Sequence, residues 1–345
     1  MYDYVIVTQL PSFYKVNLYN ELNKNLKVLV IFLGRSSKER TEDFISTKFS
    51  FDHIFLSKCD FEKRELLVHI SKLLKIFREI KYKKLLLSGW NLLEFWILSF
   101  LSPKEKNCLA LESTVIESKS LGLQGLIKKI FLTRINIVFA SGYLHVELLK
   151  RLNFRNEIRV TKGVGLINKP ITTVKKLKYQ RKYLFLGRLS EEKNIKFIIS
   201  VFKNMPTHEL LIVGSGPQET DLKNFANNSS NIRFLNHYNN KSLNKLFLEQ
   251  NFLLLPSISE PWGLVVEEAL YFGLPVIVST NCGSQELITN NRNGYIIDPY
   301  DKESLQNLIL SIDETTYSKL LNGVKETSIA LKDEWQISRY TDFRK

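Results

Sequence analysis

The sequence predicts an α/β protein with two domains, each built around a parallel sheet that helices cover on both faces. The chain has 345 residues, which exceeds the usual size of one domain. Short apolar runs alternate with helical patterns along most of its length, as is typical of parallel sheets. This alternation stops at residues 161–182, a basic stretch with glycines and a proline, and then restarts. We therefore expect the domain junction there.

In the first half, apolar runs predict seven strands, and a helix is predicted at residues 14–23. Ligands of parallel sheets bind beyond the carboxyl ends of the strands. The loop after the first strand lacks the G-x-G-x-x-G pattern, so we expect no dinucleotide site there. The predicted strands are residues 2–8, 27–33, 53–56, 85–87, 108–111, 135–140 and 158–160.

The most apolar segment, residues 85–101, is at the short limit for a membrane span. It contains Gly89, Asn91 and Glu94, so a buried strand, a turn and a core helix are favoured over a transmembrane helix. The three cysteines are far apart and show neither metal-ligand spacing nor a disulfide framework. The first residues lack a signal-peptide pattern. Together these features favour a reducing, cytoplasmic compartment.

The net charge of +14 is unevenly distributed. Residues 1–170 carry 28 lysines and arginines against 16 acidic residues, whereas residues 183–345 carry 16 against 19. Such asymmetry suggests a polyanionic surface or substrate for the first half, either anionic lipid or nucleic acid. A Lys-rich composition on solvated faces is the alternative.

Two basic amphipathic stretches, residues 62–84 and 121–134, are predicted helices of this half. Each apolar stripe could pack on the sheet, or one of them could lie on an anionic membrane. The charge asymmetry favours the second stretch for the membrane role. The stripes are Leu66, Ile70, Leu73, Phe77 and Ile80 in the first stretch, and Leu123, Leu126, Ile127, Ile130 and Phe131 in the second.

In the second half, the loops after the predicted strands carry the chemistry. Arg188 and Lys193 lie five residues apart after the first of these strands and could converge on phosphate oxygens. Gly187 permits close backbone approach, and Gly214 begins a second glycine turn. The predicted strands are residues 183–186, 210–213, 232–235, 252–255, 276–278 and 295–297.

Residues 255–272 combine a loop that carries Glu260 with a helix that starts after Gly263. Glu268 falls on the apolar stripe of this helix, where a carboxylate must find a partner or lose its charge. Its neighbour Glu267 is off the stripe and is expected to be solvated. Eight helical positions cover roughly 12 Å, so Glu260 and Glu268 could hold two hydroxyl-rich parts of one elongated ligand. The first N–H groups of the helix, at Gly263, Leu264 and Val265, could meet an anion between them. A nucleotide diphosphate sugar has this layout.

The motif S-x-x-E-P-W-G-L-V-x-E-E-A resembles the signature of the retaining glycosyltransferases of family 4. The order GR-x4-K, G-x-G-P, E-P-W-G-L-x3-E and N-G-x-x-x-D-P-x-D over residues 183–301 is similar to the second domain of that family. Its fold is GT-B, two Rossmann-like domains that face each other across a cleft. Residues 11–22 (P-S-F-Y-K-x-x-L-Y-N-E-L) resemble a bacterial subgroup that builds surface polysaccharides.

The resemblance implies roles for individual residues. Those matching Arg188 and Lys193 bind the donor diphosphate, the one matching Glu260 approaches the transferred sugar, and the one matching Glu268 holds the ribose. The backbone at Gly263, Leu264 and Val265 meets the diphosphate and sugar. The remaining donor-binding candidates are Gly187, Gly214 and His237, the last of which lies in a loop near the base.

The family retains anomeric configuration by front-face attack, in which the donor phosphate helps to take the acceptor's proton. This chain contains no D-x-D, so no metal or other cofactor is expected. Arg188 and Lys193 would replace the divalent ion that serves the leaving group elsewhere.

The first domain departs from the family. Many members carry His after the strand that matches residues 108–111, whereas this chain has Glu112, a candidate hydroxyl-binding or base residue on the acceptor side. K-G-V-G at residues 162–165 stands where N-G-V-D is common. The predicted domains are 1–168 for the acceptor, 169–328 for the donor, and 329–345 as a C-terminal helix returning to the first domain.

The resemblance implies a hexosyltransferase that moves a sugar, from UDP by default, to a lipid-linked surface glycan such as capsule or lipopolysaccharide. It would work in the cytoplasm, peripherally on the inner face of the plasma membrane. A nucleic-acid-binding protein is the first alternative, but no helix-turn-helix, RNP pattern or zinc module is present. A GT-B epimerase or phosphorylase is the second alternative.

Overall fold

The computed structural model describes residues 1–38, 44–46, 48–57, 59–170, 178–227, 229–236 and 243–342. The chain divides into two compact units. Unit 1 is Met1–Asn168 together with the segment that starts at Lys332, and unit 2 is Lys169–Leu331. The acceptor and donor roles assigned to residues 1–168 and 169–328 stay predictions.

Unit 1 is built on a parallel sheet that, within the described residues, has the strand order β3-β2-β1-β4-β5-β6-β7. Its strands are β1 (Tyr2–Thr8), β2 (Val28–Phe32), β3 (Asp52–Phe55), β4 (Tyr82–Leu87), β5 (Asn107–Leu111), β6 (Ile137–Ala140) and β7 (Glu157–Val160). Its helices are α1 (Phe13–Asn23), α2 (Leu66–Glu79), α3 (Leu93–Leu101), α4 (Gly122–Thr133) and α5 (Tyr143–Arg151).

Side chains of β1 show why this sheet is covered on both faces. Val5 and Val7 pack into one hydrophobic core, and Tyr4 and Ile6 pack into another. Successive side chains of a strand point to opposite faces, so an unbroken apolar run requires a cover on each side. The predicted two-sided parallel sheet is confirmed.

The first basic stretch does not form one long helix, as residues 62–84 were expected to do. Helix α2 ends at Glu79, because Ile80 already has extended backbone angles. The chain then enters β4, whose side chains alternate, and Lys83 pairs with Asp3 at 2.8 Å. The predicted helix was wrong at both ends: Arg64 and Glu65 have extended backbone before α2 begins at Leu66, and three lysines masked the later change from a helical period to a strand period.

Residues 85–101 form the end of β4, a turn and helix α3, as predicted. Among the described residues, no helix is both long enough and apolar enough to cross a membrane.

Unit 2 repeats the architecture with the strand order β10-β9-β8-β11-β12-β13, again parallel within the described residues. Its strands are β8 (Lys182–Leu186), β9 (Glu209–Val213), β10 (Ile232–Leu235), β11 (Phe252–Leu255), β12 (Val276–Ser279) and β13 (Gly294–Ile297). Its helices are α6 (Ile195–Phe202), α7 (Glu219–Phe225), α8 (Leu243–Leu248), α9 (Leu264–Tyr271), α10 (Lys302–Ser311) and α11 (Glu314–Glu326).

Both sheets have the Rossmann order. From β8 the chain builds outward through β9 and β10, and then crosses to the other side of β8 to form β11. In open α/β sheets, ligands bind where the strand order reverses, in the crevice outside the carboxyl ends of the strands. In unit 2 this point lies between the loops that follow β8 and β11.

The last helix, α12 (Ile329–Thr341), packs on unit 1 through its second half. The ring of Tyr340 stacks on Phe139 with 4.1 Å between the ring centroids. Its carbonyl oxygen accepts a 2.9 Å hydrogen bond from the hydroxyl of Tyr4, and Arg159 donates to the carbonyl oxygen of Arg339 at 2.9 Å. Unit 1 is therefore completed by residues from the end of the chain.

The two basic amphipathic helices differ in how they pack. Helix α2 buries Leu73 and His69 and packs Ile76 and Phe77 against the core of unit 1. Helix α4 buries Gly125, Phe131 and Leu132, and it leaves most of its predicted stripe exposed to solvent: Leu123, Leu126, Ile127 and Ile130.

Candidate functional site

The loops after β8 and β11 meet through an ion pair in unit 2. The ammonium group of Lys193 contacts Oε2 of Glu260, although 67 residues separate them in the chain. Their side chains are only 18% and 12% exposed. A pair shielded from water to this extent is electrostatically stronger than a surface pair. Two of the three residues predicted to be catalytic are thereby brought into contact.

Asn194 fixes the turn that presents Lys193. Its backbone is left-handed, with φ of 57°, a conformation that asparagine tolerates better than most residues. Its side-chain amide donates to the carbonyl oxygens of Pro256 at 3.3 Å and Pro299 at 2.8 Å. The turn after β8 is thus hydrogen-bonded to the loops that follow β11 and β13.

The segment after β12 holds Glu260 from its other side. The backbone N–H of Glu260 donates to the carbonyl of Asn281 at 3.2 Å, and Gly283 donates to the carbonyl of Glu260 at 2.9 Å. A Cβ atom at position 283 would lie 2.1 Å from the carbonyl oxygen of Pro261, so a side chain cannot be accommodated there. The carboxylate is therefore presented by a loop with little freedom to move.

Cys282 belongs to the same support. Its thiol donates to the carbonyl oxygen of Trp262 at 3.0 Å. Burial, followed by the charge of Glu260, raises the pKa of this thiol to about 12. Cys282 therefore stays protonated at neutral pH and acts as a structural donor, because the thiolate is the reactive form of cysteine.

Gly187 and Gly214 bring the ends of β8 and β9 together. Gly214 has φ of +142°, and a Cβ atom on it would lie 1.9 Å from the carbonyl oxygen of Gly187. The N–H of Gly187 donates to the carbonyl of Val213 at 3.0 Å. Two glycines so placed leave backbone without side chains at the predicted diphosphate position.

Arg188 is exposed, in contrast to Lys193. The pKa of the Glu192 carboxyl is lowered overall. Burial on its own would raise this pKa, but the hydrogen bond from Ser190 and the charges of Lys193 and Arg188 outweigh burial. Both cations thus act on the same short turn. Their convergence on a phosphate stays a prediction, and in this structure the partner of Lys193 is Glu260.

Helix α9 begins at Leu264, after Gly263 with φ of +92°. Glycine has no side chain to cap the helix, so the first N–H groups are left to other acceptors. A Cβ atom on Gly263 would lie 3.0 Å from Sγ of Cys282 and from Leu255. The sequence prediction of a helix N-terminus that follows Glu260 is confirmed.

The prediction that Glu267 is solvated was wrong. Glu267 is fully buried, and its Oε1 accepts a 2.6 Å hydrogen bond from the indole N–H of Trp262. The indole N–H offers the buried carboxylate a donor, as a buried polar group requires. Trp262 in the E-P-W-G motif, five residues earlier, is the signal that could have revealed this.

Glu268 is partly exposed. Burial, followed by the charge of neighbouring Glu267, raises the pKa of its carboxyl to about 8. Without a ligand, Glu268 is therefore largely protonated at neutral pH. The sequence placed Glu268 on the apolar stripe, whereas the structure buries Glu267 more completely than Glu268. The expected loss of charge at Glu268 agrees with its raised pKa.

In unit 1, Glu112 follows β5 and forms an ion pair with Lys15 at 2.7 Å. Burial lowers the pKa of Lys15, but the charge of Glu112 more than compensates and raises it. Lys15 had no predicted role, although it lies inside the P-S-F-Y-K motif of residues 11–22. Its position near the start of α1, at the carboxyl end of β1, could have indicated it.

His145 lies beside the same loop, near the backbone of Glu112. Burial lowers the pKa of its imidazole to about 4, so the ring is neutral at physiological pH. The acceptor-side candidate is therefore a carboxylate held by one lysine, next to a neutral imidazole.

The remaining site predictions are not all described by the structure. His237 lies outside the described residues. Within them, no group of three His, Cys, Asp or Glu side chains is placed to hold a metal ion.

Solved structures share this fold over nearly the whole chain. Sucrose-phosphate synthase from Thermosynechococcus elongatus superimposes with a TM-score of 0.75 at 19% identity, over 99% of this chain and 98% of that one. Anabaena HepE in complex with UDP and glucose superimposes with a TM-score of 0.73 at 14% identity, over 99% of this chain and 97% of that one. The lipopolysaccharide outer core galactosyltransferase WaaB, in its apo form, superimposes with a TM-score of 0.73 at 12% identity, over 98% of this chain and 99% of that one.

Sequence relatives match the chain over shorter regions. An uncharacterized glycosyltransferase of Methanocaldococcus jannaschii is 32% identical over 162 residues, which are 45% of this chain and 37% of that protein. An uncharacterized 41.2 kDa protein in the cps region of Klebsiella pneumoniae is 24% identical over 61% of this chain and 52% of that one. The chain thus spans between a third and about half of the length of these relatives.

The family comparison falls on unit 2. Residues 171–325 match the family of glycosyl transferases group 1. They include the ion pair, the glycine turns and helix α9. The chain has the GT-B fold, and its second half is similar to the glycosyl transferases group 1.

Proposed function

We propose that the protein is a retaining, metal-independent glycosyltransferase that moves a hexose from a nucleoside diphosphate sugar to a growing surface glycan. One observation carries the proposal. The Lys193–Glu260 ion pair lies where the strand order of unit 2 reverses, beside the N-terminus of α9. A cation, a carboxylate and free N–H groups so close together match a diphosphate joined to a polyhydroxyl group.

The proposed arrangement sets the orientation of the donor, with the sugar at Glu260 and the ribose at Glu268. The diphosphate would lie among Lys193, Arg188 and the first N–H groups of α9, and the glycines at 187 and 214 would admit it. Glu260 would then face the sugar, and Glu268 the ribose. UDP is the favoured nucleotide, which the likeness in fold to HepE in complex with UDP and glucose supports.

The chemistry follows from charge. An acceptor hydroxyl oxygen bonds to the anomeric carbon as the bond from that carbon to the diphosphate oxygen breaks. The hydroxyl proton passes to an oxygen of the leaving diphosphate, so attack and departure occur on the same face and the configuration is retained. Fixed cations at the leaving group stabilise its developing charge. Lys193 and Arg188 take that role, and no divalent ion is needed.

Several observations support a lipid-linked surface glycan as the acceptor. WaaB is an outer core galactosyltransferase of lipopolysaccharide by name, and the Klebsiella relative lies in a cps region. The first half of the chain is strongly basic, which suits the inner face of a plasma membrane. In unit 1, Glu112 would accept a hydrogen bond from an acceptor hydroxyl, and its ion pair with Lys15 would fix the position of its side chain.

A transfer assay tests the proposal. Nucleotide sugars are incubated with the protein and a lipid extract of glycan intermediates, with and without EDTA. We expect release of nucleoside diphosphate only when acceptor is present, unaffected by EDTA, and the donor's anomeric configuration in the product by NMR. Turnover of the sugar nucleotide without acceptor would contradict transfer and indicate an epimerase, and an inverted product would contradict retention.

A further inference from the structure

One surface of unit 1 combines apolar and basic residues without a cover from the described residues. Five apolar side chains at α4 are exposed, and we call them the α4 surface: Leu121 (81%), Leu123 (73%), Leu126 (55%), Ile127 (43%) and Ile130 (44%). Single exposed leucines are ordinary on proteins, but a contiguous group marks an interaction site.

The α4 surface is a second apolar face of its helix. At about 100° per residue, Leu123, Leu126, Ile127 and Ile130 project within an arc of roughly 100°. The buried residues Gly125, Phe131 and Leu132 project from another side and anchor the helix to unit 1. The exposed face is therefore additional to the face that folding requires.

The charges in the segment that carries this face are positive, and the exposed Glu117, which acts on Lys128, lies just outside it. Residues 118–134 contain Lys119, Lys128, Lys129 and Arg134 and no acidic residue. Lys128 is held in place, because its ammonium group donates to Oγ of Ser118 at 2.6 Å and to the carbonyl oxygen of Lys119 at 2.7 Å. Lys119 itself is exposed. An apolar face bordered by cations is the pattern of helices that lie in the interface of an anionic bilayer.

We propose that the α4 surface docks unit 1 on an anionic phospholipid membrane, with its leucines and isoleucines among the acyl chains and its lysines at the phosphates. A second copy of the chain fits less well, because a symmetric contact places the same patch on both sides. The cations of residues 118–134 would then face each other with no acidic residue from that segment between them.

This inference does not depend on sugar transfer, since the α4 surface belongs to unit 1 and the proposed donor site to unit 2. If both hold, docking brings the enzyme to the layer in which a lipid-linked acceptor resides.

Vesicle flotation of the full chain tests the inference. The vesicles contain phosphatidylcholine alone or phosphatidylcholine with phosphatidylglycerol, and no donor is added. The test variant is Leu123→Gln/Leu126→Gln, which keeps good helix formers at exposed positions. The matched control is Leu67→Gln, an 82% exposed leucine on α2. A second variant, Lys119→Gln/Lys129→Gln, removes charge alone.

We expect the wild type to bind the anionic vesicles at least about tenfold more tightly than the neutral ones. High salt should dissociate the protein from the anionic vesicles, because it screens the attraction between lysines and phosphates. The leucine variant should lose at least about tenfold in partitioning, the lysine variant should bind less, and Leu67→Gln should bind as the wild type does. Equal binding by the leucine variant and the wild type would overturn the inference. So would an absence of vesicle binding together with a dimer in light scattering that the leucine variant dissociates.

Nucleotide binding separates this inference from the proposed function. Both α4 variants should bind a nucleotide sugar as the wild type does. If no nucleotide sugar binds but the vesicle results hold, the donor assignment fails and the docking surface stands.

Discussion

Lys193 and Glu260 depend on each other in the unliganded protein, because each neutralises a charge with little access to water. Each of the substitutions Lys193→Ala and Glu260→Ala should therefore lower the rate of sugar transfer at least about 100-fold. In the first the leaving group loses a cation, and in the second the sugar loses its carboxylate partner. The free energy of unfolding should fall by only about 1–2 kcal/mol, between the values for exposed and buried pairs. Initial rates and urea unfolding measure the two effects.

Lys196 supplies the control for this pair. It is exposed on α6, three residues after Lys193. Lys196→Ala should leave transfer within about twofold of the wild type. Full activity in both Lys193→Ala and Glu260→Ala would contradict the site.

Glu268 makes donor binding depend on protons. Its folded pKa of about 8 means that the carboxyl is mostly protonated at pH 7. Ribose hydroxyls that donate to it favour the carboxylate and lower the pKa, so donor binding should release up to about one proton per site. Calorimetry at pH 7 in buffers of different ionisation enthalpy counts those protons.

The variant Glu268→Gln should abolish this release and weaken donor binding. Donor binding that releases no proton in the wild type, or an unchanged donor affinity in the variant, would argue against the ribose role.

At the scale of elements, the sequence predicted the strands well, because buried parallel strands are short apolar runs with distinct ends. It also placed Glu260 before a helix N-terminus, since Pro256, Pro261 and Gly263 mark the loop. It failed at Glu267, because an apolar stripe shows which side of a helix packs on the sheet and not that the indole of Trp262 donates to a carboxylate in its first turn. It could not show that Lys193 would pair with Glu260, because such a contact depends on strand order.

The glycine turns can be tested as elements. Gly214→Ala should lower the free energy of unfolding by more than about 2 kcal/mol and abolish nucleotide binding, because its Cβ would overlap the carbonyl oxygen of Gly187. Gly122 also has positive φ, but nothing lies within 4 Å of its Cβ position. Gly122→Ala should therefore cost only about 1 kcal/mol. Denaturant unfolding compares the two, and equal costs would show that close approach of the backbones is not what requires Gly214.

At the scale of the whole molecule, unit 1 depends on residues from the end of the chain. Tyr340→Ala should destabilise unit 1 by about 3–5 kcal/mol, because it empties a stacked position on Phe139 in a closed core. Calorimetry should show that the unfolding temperature of unit 1 falls and that the unfolding temperature of unit 2 does not change. Leu331→Ala, at a 65% exposed position, should shift neither. If both transitions move together in Tyr340→Ala, the two units do not unfold independently.

The most direct test of the donor site is the binding of a panel of nucleotide sugars to the purified protein by calorimetry, repeated with Lys193→Ala and Lys196→Ala. We expect at least one member of the panel, a UDP-sugar first, to bind with one site per chain. Lys196→Ala should keep that affinity, and Lys193→Ala should lose at least about tenfold, because a charged contact to the diphosphate is removed. The donor site would be contradicted if no nucleotide sugar bound, or if Lys193→Ala bound as tightly as the wild type.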